Sequence, residues 1–312
     1  MRSTSRYLLA KWLIAAVAVV LAVLVLRPYV LANPDRAMRL VELTLKFGVL
    51  PLSLLAGLIT YYEYRGLGPQ EGIVRRGRPE HAVALTFDDG PSPVYTAQIL
   101  DVLNEKGAKA TFFVVGEHVR KYPDLARRIV AEGHDIGNHT MNHRDLIPAG
   151  RQVVIDEIEC CGATIEQVTG VAPVLFRPPR GIYGNAIRQL VVDMGYRMIL
   201  WTLSTIDWRG KRPSSILRRV RARIRPGGII LFHDSGALIK CEGGSRENTV
   251  QAVGLVIDYL KDVRGYELVT VSEMLRRLDA EGRPSVGDAK DRPSVGDTEG
   301  RPTMGPAALK EA

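Results

Sequence analysis

The sequence predicts an α/β fold with parallel strands, either a barrel or a doubly wound sheet. Short apolar segments alternate with amphipathic ones over about 200 residues, as strands joined by crossover helices do. Five polar clusters each follow a predicted strand, and parallel strands gather their carboxyl ends at one edge. No Gly-x-Gly-x-x-Gly motif follows the first strand, which argues against a dinucleotide-binding version of the fold.

The N-terminal segment, residues 1–36, has the composition of a membrane anchor. Basic residues precede a nearly unbroken apolar run from Trp12 to Leu26, which Arg27 and Pro28 end. Together with the apolar residues just before it, this run is long enough to cross a bilayer. A signal peptide has a similar pattern, but no Ala-x-Ala cleavage site closes the run, which favours an uncleaved transmembrane helix.

A second apolar segment lies in the linker region, residues 37–79. It runs from Phe47 to Thr60 and is interrupted by Pro51, Ser53 and Gly57. Roughly fourteen residues is short for a span and more typical of an interfacial, re-entrant or packed helix. Arginines lie on both sides of the segment, so the sequence leaves open whether it crosses the membrane.

The excess of positive charge is confined to the N-terminal region. The chain of 312 residues has a formal net charge of +8, and residues 1–79 contain 11 Lys and Arg against 4 Asp and Glu. Residues 80–282 are nearly balanced, with 26 basic and 25 acidic side chains. This distribution predicts contact with membrane lipid rather than with nucleic acid.

Seven strands and seven helices are predicted within residues 80–281, the main domain. The strands are short apolar runs at Val83–Phe87, Ala110–Val115, Asp135–Gly137, Val174–Phe176, Met198–Trp201, Ile229–Phe232 and Leu268–Val271. The helices are amphipathic runs at Tyr95–Asn104, Pro123–Glu132, Gln152–Thr169, Asn185–Met194, Ser214–Ile224, Thr249–Val263 and Ser272–Asp279. Residues 282–312 repeat an Arg-Pro-Ser-Val-Gly-Asp motif every nine residues and predict a disordered tail.

The first predicted strand ends in two adjacent carboxylates, Asp88 and Asp89. Such a pair often caps a helix, and taken alone the capping role would explain it as well as a catalytic one. Partners after four later strands favour catalysis. These partner clusters are His139–His143, Arg177–Tyr183, Asp207–Trp208 and His233–Asp234.

Asp89, His139 and His143 are the predicted metal ligands. Two neutral imidazoles and one carboxylate can hold a divalent cation and leave positions open for water and substrate, as in catalytic zinc sites. Two histidines four residues apart would alone be read as surface residues, and the aspartate pair makes a metal site the better interpretation. The three cysteines provide neither a disulfide framework nor a Cys-x-x-Cys metal motif.

Asp88 and His233 are the candidate base and acid. Hydrolysis at a metal needs a base to take a proton from water and an acid to protonate the leaving group. Arg177 is predicted to orient Asp88 and keep it ionised, and Asp207 to hold His233 protonated. Taken singly, Arg177 is better explained as a surface cation and Asp207 as a turn residue.

In this order and spacing, the five clusters resemble the five motifs of the NodB-like polysaccharide deacetylases, carbohydrate esterase family 4. The resemblance covers about residues 80–280 and implies a distorted (β/α) barrel of about seven parallel strands. It also implies metal-dependent hydrolysis of N-acetyl groups on amino-sugar polymers, with zinc as the expected metal and cobalt, nickel or manganese as alternatives. The roles implied are base for Asp88, acid for His233, orienting partners for Arg177 and Asp207, and metal ligands for Asp89, His139 and His143.

The same resemblance assigns the substrate-facing residues. Trp208 and Leu231 would line the acetyl pocket, Tyr183 would face the substrate, and the backbone N–H of Arg180 would help to stabilise the oxyanion. Many family members carry an aromatic residue in place of Arg180. A cation there suits an anionic sugar, and Arg-Pro-Pro-Arg resembles the motif of muramic acid deacetylases, whose substrate carries a lactyl carboxylate.

The sequence therefore predicts a membrane-anchored deacetylase that faces out of the cell and acts on a cell-wall polysaccharide, above all peptidoglycan. Two other classes stay open. One is a hydrolase of the same fold acting on a chitin oligomer, an O-acetyl ester or a small amide. The other is a wall-binding protein without turnover, against which the intact acid, base and metal ligands argue.

Overall fold

The structure, a computed structural model, describes residues 72–78, 80–236 and 244–280, with isolated positions between residues 35 and 54. The predicted anchor and the repeat tail lie outside the described residues. A short π-helix at Leu45–Val49 overlaps the start of the second apolar segment, and the side chain of Phe47 within it is exposed. Among the residues that are described, no helix combines the length and the hydropathy needed to cross a bilayer.

The described part of the main domain is built on nine strands in one sheet. They are β1 (Ile73–Val74), β2 (Ala82–Asp88), β3 (Thr111–Val114), β4 (Asp135–Asn138), β5 (Leu175–Phe176), β6 (Arg197–Ile199), β7 (Leu203–Ser204), β8 (Ile229–His233) and β9 (Glu267–Leu268). Their order is β1-β6-β5-β4-β3-β2-β8-β7, and β9 pairs with the start of β2. Every strand pair is parallel, which confirms the predicted α/β class.

The sheet is curled because β6 and β7 are two parts of one stretch of chain. The stretch is interrupted at residues 200–202; its first part pairs with β5 and its second part with β8. The same chain segment therefore pairs near both ends of the strand order, and this bends the sheet into a distorted, open barrel. An antiparallel bridge between Arg76, just after β1, and Gly228, just before β8, links these two regions of the sheet further.

Helices cross over between consecutive strands and cover the outside of the sheet. They are α1 (Tyr95–Glu105), α2 (Gly116–Lys121), α3 (Pro123–Ala131), α4 (Arg151–Thr169), α5 (Asn185–Asp193), α6 (Pro213–Arg223), α7 (Glu247–Asp258) and α8 (Val271–Ala280). A π-helical turn, Tyr259–Val263, extends α7. Each of the seven predicted helices has a counterpart among these eight, with ends that differ by a few residues.

Three elements were not predicted, and one strand is shifted. The strands β1 and β7 have two residues each, too few to show a periodicity, and α2 follows β3 almost without a loop. Because β1 pairs with β6, the sheet begins before the predicted boundary at residue 80. The last strand is Glu267–Leu268, and at Val271 the chain already enters a helix.

The core under the strand ends is aromatic. The ring of Phe87 stacks on those of Phe112 and Phe232, at centroid distances of 5.0 and 5.6 Å, and all three side chains are fully buried. The parallel register places Asp88 opposite His233 on the neighbouring strand. The predicted base and the predicted acid therefore stand on adjacent strand ends above a rigid apolar layer.

Candidate active site

A cavity of about 750 Å³ opens at the carboxyl ends of the strands, where the sequence predicts the chemistry. Eight of the eleven predicted site residues line it: Asp88, Asp89, His139, His143, Arg180, Trp208, Leu231 and His233. Arg177 and Asp207 are buried, with 0% and 2% exposure, and each contacts a lining residue. The structure thus brings together ten of these eleven side chains, and places the eleventh, Tyr183, elsewhere.

Asp88 is the last residue of β2, and Arg177 follows β5. The guanidinium Nη1 donates a 2.6 Å hydrogen bond to Asp88 Oδ1, and both side chains are buried. A charge-assisted hydrogen bond of this length between buried groups fixes the carboxylate in one orientation. The surface-cation interpretation of Arg177 is therefore wrong.

Arg177 is also bound by the strands around it. Its guanidinium donates to Thr86 Oγ1 and to the backbone carbonyl oxygens of Ile199 and Leu200, at 2.9 to 3.2 Å. The carbon Cζ lies 4.0 Å from the centroid of the Phe113 ring, a cation–π contact. The buried charge is thus surrounded by acceptors, as a buried charge must be to avoid a large desolvation penalty.

The three predicted metal ligands converge. Asp89 Oδ1 lies 3.2 Å from His143 Nε2 and 3.5 Å from His139 Nε2, and the three ligand atoms lie within 4.8 Å of one another. Two imidazole nitrogens and a carboxylate oxygen at these separations fit a divalent cation with open positions for water and substrate. The donor set suits zinc and also other first-row divalent metals.

The ring of His139 is held in the orientation that metal binding needs. Its Nδ1 donates a 2.7 Å hydrogen bond to the backbone carbonyl oxygen of Arg177, since a carbonyl oxygen can only accept. Nε2 faces Asp89 and is therefore the nitrogen that would give up its proton and bind when a cation is present. An outer hydrogen bond of this kind orients a histidine ligand and raises its basicity.

The backbone at Asp89 adopts a left-handed conformation, with φ of 80°. Nδ1 of His118, at the start of the helix α2, donates a 2.7 Å hydrogen bond to the Asp89 carbonyl oxygen. Burial lowers the pKa of His118, which favours the neutral ring. No sequence pattern indicates His118, because it lies 29 residues from Asp89 and outside the five clusters.

Burial by itself would raise the pKa of Asp89. Hydrogen bonds from His139 and His143 outweigh burial, and together with the charge of His233 they hold the pKa of Asp89 well below its usual range. The carboxylate is therefore ionised and available as a ligand. This is the protonation state that a metal site requires.

His233 ends β8 and forms a buried pair with Asp207. Its Nδ1 donates a 2.9 Å hydrogen bond to Asp207 Oδ1, and its backbone N–H donates to Oδ2 at 2.9 Å. The hydroxyls of Thr205 and Thr249 each donate to the same carboxylate at 3.0 Å. With four donors around Asp207, the ring of His233 is oriented so that Nε2 is the nitrogen that can exchange a proton.

Electrostatics favour the charged form of both partners. Burial opposes the charge on His233, but Asp207 outweighs it and raises the pKa of His233 to about 9. Burial would raise the pKa of Asp207, and the positive charge of His233 outweighs it and lowers that pKa. The imidazole of His233 is therefore favoured in its protonated form at neutral pH, which is the form that the predicted acid role requires.

Arg180, Trp208 and Leu231 surround the mouth and floor of the cavity. Arg180 has a φ of 59°, and its side chain forms a 3.4 Å ion pair with Asp145 in which both groups are about half exposed. Leu231 is buried, whereas Trp208 is 49% exposed and carries the guanidinium of Arg209 at 4.7 Å from its ring. An apolar floor with aromatic and cationic walls suits a sugar ring with polar substituents.

Tyr183 does not line the cavity, contrary to the prediction. Its side chain is buried in a separate apolar cluster, and its hydroxyl accepts a 2.8 Å hydrogen bond from Arg75 Nη2. Ile182 is extended, so neighbouring side chains alternate in direction, and Ile182 faces the cavity instead. Within the cluster Arg177–Tyr183, Arg180 and Ile182 line the cavity and Tyr183 does not.

Asp234 is a buried carboxyl group beside the site. Thr96 Oγ1 donates a 2.6 Å hydrogen bond to Oδ2, and a Cβ added at Gly90 would lie 2.1 Å from the same oxygen. Burial raises the pKa of Asp234 to about 7. Gly90 is thus required by the close approach of Asp234, and the conformation next to Asp89 depends on this packing.

The chain matches known proteins over the domain that holds this site. A family model described as polysaccharide deacetylase matches residues 75–199. A peptidoglycan-N-acetylglucosamine deacetylase of Bacillus cereus is 38% identical over 199 residues, which are 63% of this chain and 89% of that protein. A chitooligosaccharide deacetylase of Sinorhizobium fredii is 37% identical over 62% of this chain and 92% of its own length.

Solved structures agree with this assignment. The crystal structure of a peptidoglycan N-acetylglucosamine deacetylase in complex with an N-hydroxybenzamide compound has a TM-score of 0.61 at 33% identity, covering 65% of this chain and 92% of that one. A pseudoenzyme of carbohydrate esterase family 4 from Bacillus anthracis has a TM-score of 0.59 at 29% identity, covering 65% and 68%. The fold therefore also occurs without activity, and the side chains of the site carry the functional argument.

Proposed function

Because the chain belongs to the polysaccharide deacetylase family, carbohydrate esterase family 4, we propose that it removes N-acetyl groups from amino sugars of a cell-wall polysaccharide, most directly peptidoglycan. One observation carries the proposal. A carboxylate oriented by Arg177 and an imidazolium held by Asp207 face the same cavity as a three-residue metal site. An amide hydrolase needs a base, an acid and an electrophile in that arrangement.

When bound, a divalent cation would polarise the acetamide carbonyl and lower the pKa of the attacking water. Asp89, His139 and His143 would hold it, and zinc is the metal we propose. Asp88 takes a proton from the water, with its carboxylate kept in place by Arg177. A base oriented by a buried partner is available in the attacking geometry without further reorganisation.

His233 supplies the proton that the departing amine needs. The ring gives up this proton at Nε2, since Nδ1 is engaged with Asp207. Leu231 and Trp208 provide apolar contact for the acetyl methyl group, and the backbone N–H of Arg180 stabilises the oxyanion. The side chain of Arg180 favours a sugar that carries a carboxylate, such as the lactyl group of muramic acid.

Acetate release by the purified full-length chain tests the function. The protein is stripped of metal, reloaded with zinc or cobalt, and supplied with peptidoglycan or with chitin oligomers. We expect metal-dependent acetate from peptidoglycan. Metal-loaded protein that binds the polymer and releases no acetate from either substrate would refute the proposal and favour the wall-binding alternative.

A second candidate substrate is a chitin oligomer, because a relative of 37% identity is a chitooligosaccharide deacetylase. Equal rates on both polymers would identify a general amino-sugar deacetylase. Activity on small O-acetyl esters or amides alone would favour the third class of hydrolase. Replacing Arg180 with Tyr should change the preference between muramic acid and glucosamine units, and an unchanged preference would exclude this role for its side chain.

We also propose that the chain is anchored in the cell membrane with its catalytic domain outside the cytoplasm. The apolar run from Trp12 to Leu26 and its basic flank support an anchor, and the polymer substrate lies outside the membrane. Protease digestion of intact cells should degrade the domain. Protection of the domain until the membrane is lysed would contradict this orientation.

A further inference from the structure

One wall of the cavity carries a buried arginine that the catalytic scheme does not use. Arg246 precedes the helix α7, lines the cavity and is only 7% exposed. Its Nε has no hydrogen-bond partner, and its described hydrogen bond runs from Nη1 to the Ser245 carbonyl oxygen at 3.4 Å. Among the described residues, no carboxylate lies within ion-pair distance of it.

Arg177 is a buried guanidinium in this protein whose hydrogen-bond donors have acceptors. It donates to four oxygen atoms, one of them the carboxylate of Asp88. A buried cation without such partners is costly, because it loses its hydration and gains little in return. Arg246 is therefore best explained by a partner that is not part of the described protein, and it is placed where a ligand enters.

Two further cations line the same cavity. Arg209 stacks on Trp208, and Arg219 donates to the Ser204 carbonyl oxygen. Neither has an ion-pair partner among the residues that the structure describes, and both line the cavity. Arg180, on another part of the lining, differs because Asp145 already neutralises part of its charge.

The position of Arg246 connects it to the acid. Thr249, three residues further along the chain, donates to the Asp207 carboxylate that holds His233. Arg246 thus stands on the segment that completes the acid pair. A ligand group bound by Arg246 would belong to the same substrate molecule whose amine receives a proton from His233.

We propose that Arg246, flanked by Arg209 and Arg219, forms a carboxylate-binding subsite that selects sugar polymers with an acidic substituent near the acetamido group. A planar guanidinium with free donors matches a carboxylate in two parallel hydrogen bonds. This inference rests on the proposed function and names the substrate class of the same cavity. The carboxylate comes from a lactyl ether on the glycan or from a peptide attached to it.

Binding of three glycans to the metal-stripped full-length protein tests the subsite without requiring turnover. The probes are peptidoglycan glycan fragments with free lactyl carboxylates, the same fragments with their peptides attached, and chitin oligomers of equal length. Tryptophan fluorescence reports binding, since Trp208 lines the cavity. We expect the first or second probe to bind about tenfold more tightly than the neutral oligomer, and the tighter of the two identifies the source.

Variants then assign the preference to Arg246. Arg246→Gln should remove most of the tenfold preference, and Arg246→Lys, which keeps the charge, should retain more of it. Arg127→Gln, which removes an exposed arginine paired with Asp124, is the matched control and should leave the preference intact. Thermal unfolding of each variant verifies that it is folded.

Glu242 lies outside the described residues, close to Arg246 in the chain, and Glu242→Gln tests it as an internal partner. The preference should stay unchanged in this variant; a several-fold larger preference would show that Glu242 already occupies Arg246 in the wild type and would overturn the subsite. Equal affinity of the wild type for neutral and acidic glycans would overturn it too, as would an unchanged preference in Arg246→Gln. Failure of the proposed function is read separately, from acetate release by the metal-loaded wild type.

Discussion

The two sides of the cavity satisfy their charges in different ways. On the base side, Arg177 is fully buried and hydrogen-bonded to side chains of β2, to a carbonyl group of β6 and to a carbonyl group in the break that follows β6. On the acid side, His233 and Asp207 form a well-bonded pair, but Arg246 beside them has an unpaired Nε. The base side is complete within the protein, whereas the acid side leaves hydrogen-bonding capacity for a ligand. The contrast separates side chains that set up the reaction from those that choose the substrate.

The largest effect should come from Asp88→Asn. The amide keeps the shape of the side chain but cannot accept the proton of water, so we expect acetate release to fall by about 10²–10⁴-fold. Metal content, measured by atomic emission, should not change because Asp88 is not a ligand. Asp124→Asn, at an exposed carboxylate paired with Arg127 and away from the cavity, is the control and should retain activity. Full activity of Asp88→Asn would show that Asp88 is not the general base.

The next largest effect concerns stability: Arg177→Met should lower the free energy of unfolding more than Arg246→Met does. Arg177→Met strands the Asp88 carboxylate in the interior, and losing one partner of a buried pair costs about 3–5 kcal/mol. Arg246→Met strands no charge among the described residues, so its loss in the free energy of unfolding should be much smaller. Urea denaturation of both variants measures the difference. Equal losses would mean that Arg246 is also satisfied internally.

On the acid side, Asp207→Asn should shift the pH dependence. Asp207 raises the pKa of His233 to about 9, so the acid is protonated below that pH and activity declines as pH rises through it. Without the carboxylate, the pKa moves down toward the ordinary value of 6.5, and the alkaline limb should move to lower pH. Rate profiles of acetate release between pH 5 and about 10 measure the shift. If the alkaline limb of the profile does not move in Asp207→Asn, a group other than His233 is responsible for that limb.

The smallest effect concerns the metal side and His118. Replacing it by Phe removes the hydrogen bond to the Asp89 carbonyl oxygen while filling the same space. Outer partners of metal sites contribute about 10–100-fold to affinity, and we expect the lower end here because the contact is to backbone. Competition with a chromogenic chelator measures zinc affinity. His81→Phe, at a histidine that contacts Tyr266 away from the site, is the matched control.

The sequence predicted the parts of the site that depend on local pattern. Asp88, Asp89 and His233 could be recognised because a carboxylate or imidazole at a strand end has a local signature, and parallel strands bring their ends together. Arg177 was predicted as a partner of Asp88, but its complete burial depends on the break between β6 and β7, which is two dozen residues away in the chain.

Other features depend on contacts that no local pattern records. His118 and Arg246 reach the site through packing between distant segments, and each stands in an ordinary polar context in the sequence. Tyr183 was misassigned because the direction of one side chain depends on the conformation of the turn before it. Strands of two residues, such as β1, exist through their pairing partners and have no periodicity of their own.

The interruption between β6 and β7 leaves the carbonyl oxygens of Ile199 and Leu200 without strand partners among the described residues. Arg177 donates hydrogen bonds to both of these carbonyl oxygens and also to Asp88, the proposed base. The same cation therefore serves the architecture of the sheet and the chemistry. A homologue no longer selected for activity could replace Asp88 and keep its fold, because Arg177 would retain its other acceptors. Replacing Arg177 would leave those buried acceptors without a donor and would destabilise the fold. In a decaying copy of this protein, we expect the arginine to outlast the aspartate it orients.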